Sequence, residues 1–165
     1  MTAPSLAAPH FSKTAADLPT RESITALSGL EFMQAMLEGR MPHAPISGLL
    51  NYRLHSVSEG SAAFRGTAEF SHCNPMGGVH GGWYGTLLDS AMGCAVMTIV
   101  PRGRIYTTLE YKVNITRALP TGMEIEALAE VTHAGRSTAV ATGTIRGLAD
   151  GKLYATGSTT CIIMG

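Results

Sequence analysis

Residues 72–100 read HCNPMGGVHGGWYGTLLDSAMGCAVMTIV, and the contrast between the two halves of this stretch decides the fold. Its first part, 72–82, carries Pro75, Gly77, Gly78, Gly81 and Gly82 and reads as a loop. From about Gly82 to Ile99 the pattern becomes helical: Trp83, Leu87, Leu88, Ala91, Met92, Ala95, Val96 and Ile99 recur at helical spacing. Pro101 and Gly103 close the segment. Few polar positions interrupt it, so this helix is expected to be buried almost all round. Its longest apolar run, Ala91 to Val100, is too short to cross a bilayer.

Outward from this helix the apolar period is two. Upstream, Leu50, Tyr52 and Leu54 alternate with Asn51, Arg53 and His55. After Glu59-Gly60, Ala62, Phe64, Gly66, Ala68 and Phe70 alternate with Ala63, Arg65, Thr67, Glu69 and Ser71. Two antiparallel strands with one buried face each explain the pattern. Downstream, Ile105, Thr107, Leu109, Tyr111, Val113 and Ile115 alternate with Tyr106, Thr108, Glu110, Lys112, Asn114 and Thr116. Met123, Ile125, Ala127, Ala129 and Val131 line one face of the next strand, followed by strands over 138–148 and Leu153 to Ile163, with Asp150-Gly151 as a hairpin turn. The order is β-β-α-β-β-β-β. A helix that must bury most of its surface and a long antiparallel sheet cover each other, which predicts an α+β fold of about six strands curved around one central helix.

Residues 1–20, rich in Ala, Pro, Ser and Thr without periodicity, read as a loose arm. Ser28 and Glu31 have capping-box spacing, and Leu30, Met33, Met36 and Leu37 follow at helical spacing until Gly39 and Pro42. An N-terminal arm and short extra helix over 1–45 therefore precede a single domain over 46–165.

Composition narrows the function classes. The 165 residues carry twelve basic and twelve acidic side chains, with no basic run, which argues against nucleic-acid binding and against anionic membranes. Charged residues are only 15%, a low share that hints at buried subunit contacts. Three cysteines without a CxxC pair give neither a disulfide framework nor a structural zinc site. The beginning, MTAPSLAAPHFSK, lacks the charged and apolar regions of a signal peptide, so a cytoplasmic location is expected. GxGxxG, P-loop, GxSxG and HExxH signatures are all absent from the sequence.

Asp89, inside the apolar helix, is the residue that invites a chemical reading. A buried carboxylate is costly unless it is hydrogen-bonded or used. Gly82, Gly85, Thr86 and Gly93 surround it at helical spacing, so a second chain or a thin ligand can approach there; a packing groove with Asp89 bonded to a strand explains the same pattern. Gly81 and Gly82 open the helix, where free amides and the helix dipole favour an oxyanion, although they also suit a plain turn. Gly81 and Asp89 are eight residues apart, roughly 12 Å along one helix at about 1.5 Å per residue. If both are catalytic, two helices run side by side about a two-fold axis and each site draws on two subunits. His72, Cys73 and His80 match no standard metal spacing, and no metal is expected. His133 and Arg136 flank a turn that is either a solvated hairpin or a contact for a ligand phosphate.

Taken together, Asn74 through Asp89 (NPMGGVHGGWYGTLLD), the strand at Thr107-Thr108-Leu109-Glu110 and the HAGR turn at 133–136 resemble the hotdog-fold acyl-CoA thioesterases of the phenylacetate-pathway, PaaI-like type. The similarity spans about Gly48 to Ile163. It implies hydrolysis of an acyl- or aryl-acyl-CoA thioester, no cofactor beyond the CoA substrate, and a homodimer assembled as a dimer of dimers. Carried over position by position, it implies Asp89 as general base or nucleophile, the Gly81 amide as carbonyl polariser, His80 as support of that loop, Asn74 as orienter of substrate or water, and Thr108 as holder of the attacking water. Gly82, Trp83, Thr107 and Leu109 would border the substrate, with Trp83 restricting the acyl group, and Gly135 and Arg136 would meet the nucleotide end of CoA. The main rival is a non-catalytic acyl-CoA binder with the same pocket. A hotdog hydratase lacks its Asp and His set here.

Overall fold

His80 starts the central helix. Its backbone is extended (φ −63°, ψ 136°) and its imidazole Nδ1 accepts a hydrogen bond from the Gly82 amide at 2.9 Å, so the side chain caps the first turn. In the computed structural model, which describes residues 9–165, helix α4 then runs Gly81–Met97. Shorter helices α1 (Arg21–Thr25), α2 (Gly29–Leu37) and α3 (Pro45–Leu49) precede it. Strands β1 (Tyr52–Ser58) and β2 (Ser61–Thr67) lie before α4; β3 (Ile105–Ile115), β4 (Glu124–Ala134), β5 (Thr138–Gly147) and β6 (Leu153–Met164) follow it. All six form one antiparallel sheet in the order β1-β2-β4-β5-β6-β3. This is the expected α+β hotdog architecture, with α4 packed against every strand of the sheet.

The sheet closes on α4 where its own side chains are small. Leu87, Leu88, Ala91, Met92, Ala95 and Val96 of α4 are fully buried. A methyl group at Gly143 of β5 or Gly157 of β6 would lie 3.1–3.3 Å from Leu88 and Met92, so these two glycines let the helix settle onto the sheet. Ile125, Ala127 and Ala129 of β4 complete this face, as the period-two reading of that strand predicts.

Three expectations need correction. The alternation after Gly60 does not continue as a strand to Phe70: β2 ends at Thr67, and Phe70–His72 is a short 3-10 turn that leaves Phe70 88% exposed. Ala63, placed by period on the outward face, is buried, its small side chain lying between its cross-strand partners Ser56 and Leu128. Along β3 the phase changes. The pairing with β6 shifts between Thr108 and Glu110, so Leu109 sits in a bulge and is 58% exposed. Tyr106 and Thr108 therefore share the helix-facing side with Tyr111, Val113 and Ile115, rather than all the odd-numbered residues doing so.

The capping box at Ser28 forms as expected: Ser28 N–H donates to Glu31 at 2.7 Å and the Glu31 amide donates to the Ser28 hydroxyl at 3.3 Å. Residues 1–8 of the expected loose arm lie outside the described residues. Residues 9–20 are tied down in part: Phe11 bridges to His43, with ring centroids 5.4 Å apart, and packs over Gly48. Helix α2 docks end-on against α4, and its Gly29 amide donates to the Val100 carbonyl at 2.9 Å. A methyl group at Gly29 would collide with the Met97 carbonyl. Gly29→Ala is expected to lower stability by about 1–3 kcal/mol, the usual scale for overpacking, read as a lower urea midpoint with an unchanged slope.

Candidate active site

The face of α4 that meets β3 has one residue at every fourth position: Gly81, Gly85, Asp89 and Gly93. Each is met by a β3 side chain. A methyl at Gly81 would lie 3.4 Å from Ile115, one at Gly85 3.4 Å from the Tyr111 ring, and one at Gly93 2.8 Å from the Tyr106 hydroxyl. The small stripe around Asp89 thus accepts β3 of the same chain, with both tyrosine rings fitted against glycines. Asp89 stands between those rings, opposite the short side chain of Thr108, whose hydroxyl donates to Asp89 Oδ1 at 3.0 Å. Cys161 of β6 lies behind, its sulfur 4.0 Å from the same hydroxyl.

Asp89 is half-buried. Burial holds its carboxyl above the usual carboxylate range, and the Thr108 hydrogen bond offsets part of that rise. No cation pairs with it among the described residues. The group is thus an underneutralised acid with one hydrogen-bonded oxygen, the environment that makes a carboxylate an effective base near neutral pH.

Two turns of helix away lies the second group of expected site residues. With His80 Nδ1 accepting from Gly82, the neutral ring carries its proton on Nε2. The Gly82 amide is thereby used, whereas the exposed Gly81 amide makes no hydrogen bond among the described residues and points out of the helix N-terminus. Asn74 builds the preceding loop: its Oδ1 accepts from the Met76 and Gly78 amides at 2.9 and 3.3 Å, leaving its Nδ2 as a spare donor. Trp83 is only 3% exposed; its indole N–H donates to the Leu50 carbonyl at 3.0 Å and its ring stacks on His72. It forms the inner wall of a cleft of about 380 Å³ that also includes His80, Gly82 and Thr86. His72 is spent on structure, with Nδ1 accepting from the Glu69 amide and Nε2 beside the Leu49 carbonyl.

The remaining expected residues lie elsewhere. Thr107 and Leu109 flank Thr108 on β3 but are exposed on its outer side. Gly135 and Arg136 sit at the exposed β4–β5 turn, which Arg104 holds by donating to the Arg136 carbonyl at 2.7 Å. Sequence reasoning missed Tyr106 because period two put it on the outward face, and the bulge that reverses that phase has no glycine or proline to announce it.

Comparison with known proteins fits this geometry. The thioesterase superfamily model matches residues 76–153, which take in the loop from Met76 onward, α4 and β3 through β5, but not Asn74. A conserved protein of Pseudomonas aeruginosa, of known structure, is 30% identical over 88% of this chain and 100% of its own, with a TM-score of 0.67. The chain belongs to the thioesterase superfamily. Its PaaI-like character shows in a phenylacetic acid degradation-related protein of Ralstonia eutropha JMP134, 28% identical over 79% of this chain and 98% of that one, with a TM-score of 0.73. A Streptococcus pneumoniae protein described as a hypothetical thioesterase, solved with coenzyme A, is 25% identical over 70% of this chain and 87% of its own, with a TM-score of 0.64. No protein with curated annotation matches by sequence. No helix among the described residues of this superfamily member is long and apolar enough to cross a membrane.

The raised Asp89 carboxyl has a cost that can be measured. Its folded value lies above its unfolded value, so this group favours folding in acid and withdraws that support as pH rises from the unfolded value through the folded one. Asp89→Asn is expected to melt at a higher temperature than wild type at neutral pH. The difference should vanish when scans are repeated below the ordinary carboxylate range.

Proposed function

We propose that this protein is an acyl-CoA thioesterase that hydrolyses the thioester of an acyl- or aryl-acyl-CoA to the free acid and CoA, in the cytoplasm and without a cofactor. The observation that carries the reading is Asp89: a carboxylate kept half-buried, unpaired with any cation and held at one oxygen by Thr108. A purely structural acid at this place would be better replaced by an apolar residue. The CoA-bound pneumococcal relative supports the substrate class.

In the proposed reaction the free Asp89 oxygen takes a proton from a water held beside Thr108. The water oxygen bonds to the thioester carbonyl carbon, and the carbonyl π electrons move onto oxygen. The Gly81 amide, at the positive end of α4, stabilises that oxyanion. Collapse of the tetrahedral intermediate breaks the C–S bond, and the departing CoA sulfur takes the proton that Asp89 had gained, restoring the carboxylate. Asn74 Nδ2 and His80 Nε2–H are the further donors facing the same loop, and Gly82 and Trp83 wall the cleft. Arg136, with Gly135 opening the turn, offers a cation for the CoA phosphates.

Gly81 and Asp89 are on one straight helix, two turns apart, so one chain does not bring both to a single carbonyl. A homodimer does. Strand β3 is at the sheet edge, eleven residues long, and shows Leu109, Tyr111 and Ile115 at 58%, 47% and 48% exposure. An apolar open edge of this kind pairs with another strand. Two copies joined there would set the Gly81 amide of one chain toward the Asp89 of the other, and two such dimers would form a tetramer.

Free-thiol release from a panel of acyl-CoAs (short, medium, long and aryl-acetyl) tests the reading. Turnover by wild type should fall about 10²–10⁴-fold in Asp89→Asn, the usual contribution of a general base. Binding of CoA esters without turnover would favour a non-catalytic acyl-CoA binder instead. Gly81→Pro isolates the oxyanion donor: His80 is already extended, as a residue before proline must be, and proline is well tolerated at the first helical position. That variant should remain folded and lose about 10²–10³-fold in kcat. Thr108→Val should push the Asp89 carboxyl further up and move the acid limb of the kcat/KM profile to higher pH.

A further inference from the structure

We infer that the apolar cavity lined by α1, α2, the C-terminal half of α4 and the start of β3 receives the hydrocarbon part of the substrate's acyl group. The inference rests on the thioesterase reading and names its substrate class: unbranched medium-length or phenylalkyl acyl chains.

The cavity holds about 360 Å³ and is walled by Ile24, Phe32, Met33, Met36, Met97 and Tyr106. If each heavy atom takes the ~30 Å³ of a water molecule in the liquid, it has room for about a dozen. Three methionine side chains give it an adaptable apolar lining, suited to flexible chains of varying length. The cleft beside His80 is of similar size, but its wall is mixed: Leu50 and Trp83 alternate with Ser71, His72, His80 and Thr86, so it is a less uniform match for an alkyl chain.

Position links the cavity to the acid. Tyr106 forms part of the wall and lies across Gly93, one helical turn beyond Asp89. Thr108, on the same side of β3, bonds Asp89 directly. Tyr106 is partly buried, and its hydroxyl makes no hydrogen bond among the described residues, so it is free to meet solvent or a ligand. It stands on the Asp89 side of the cavity, while Ile24, Phe32 and Met36 line the side built by α1 and α2. The charge of Asp89 is felt here: burial first, then that carboxylate, holds the Cys94 thiol on the cavity wall up at about 12. The far wall comes from residues 24–36, outside the segment matched to the superfamily. This chain's N-terminal helices would thereby set which acyl groups fit.

The test is binding of non-hydrolysable S-alkyl-CoA thioethers, from ethyl to hexadecyl, by calorimetry on the full chain, with turnover of the matching thioesters in parallel. Wild-type affinity should rise about fourfold per methylene, which is ~0.8 kcal/mol per buried CH₂ converted at about 1.4 kcal/mol per tenfold. The rise should stop near a dozen carbons. Met36→Trp should flatten it from the medium-length thioethers upward while leaving the ethyl thioether unchanged, and Met36→Ala should extend it. Ile24→Trp, on a different helix, repeats the block should Met36→Trp misfold. An unchanged length dependence in a folded Trp variant, or none in wild type, would overturn the assignment. Length-dependent thioether binding with no turnover of any thioester would instead remove the hydrolase reading and leave the cavity's role standing. Turnover with a chain-length profile that neither Trp variant alters would do the reverse.

Discussion

Everything near the site follows from placing a carboxylate on the inward side of a buried helix. Asp89 loses hydration there and recovers one hydroxyl from Thr108. Such an acid is tolerable only if its surroundings are arranged to touch it lightly. The four-residue spacing of Gly81, Gly85 and Gly93 does this: it lets Ile115, Tyr111 and Tyr106 pack onto helix backbone on either side, and only Thr108 faces the acid. Glycine inside a helix costs about 1 kcal/mol relative to alanine. The chain carries two inside α4 on this one face, Gly85 and Gly93, so close approach of β3 is worth more here than helix propensity.

The bulge at Leu109 is the second half of the same arrangement. A regular β3 presenting Tyr106 and Thr108 to α4 would turn Lys112 and Asn114 inward and Tyr111 out. Displacing Leu109 resets the phase, so that a polar contact to Asp89 and an apolar cover over Gly85 come from one strand. The bulge also leaves Leu109 on the open edge beside Tyr111, where a second copy's strand can cover both. In the proposed dimer, local chemistry and assembly would thus be coupled through one irregular residue.

What could be read from the sequence was whatever rests on local, repeating signals. The α4 stripe, the Ser28–Glu31 box and the Ile125-Ala127-Ala129 face all follow from period and capping, and all appear in the structure. Asp89 stood out because a lone acid in an apolar helix is expensive, and its contact with the following strand was one of two readings open to it. The features that escaped are those decided at a distance. Phe70 continues a strand pattern but is stopped by the turn at His72, whose ring is engaged by Glu69 and Leu49. Helix α3 had a signal, Pro45 at its first turn, in a stretch too short for periodicity. The phase of β3 depends on its register with β6, which no window of sequence contains.

On the proposed reading, chemistry and selectivity fall on different parts of the chain. The acid, its hydroxyl partner and the free amide at the helix N-terminus all lie within residues 76–153, the part shared with the superfamily. The apolar end of the cavity is built by α1 and α2, which reach α4 through the Gly29–Val100 hydrogen bond and the close contact at Met97. Helix-to-helix packing of this kind can be varied in side-chain volume without disturbing the Asp89–Thr108 pair, because the two share no residue and Tyr106 stands between them. A fold divided in this way can keep one hydrolytic site and change the acyl group it serves by altering a short N-terminal segment.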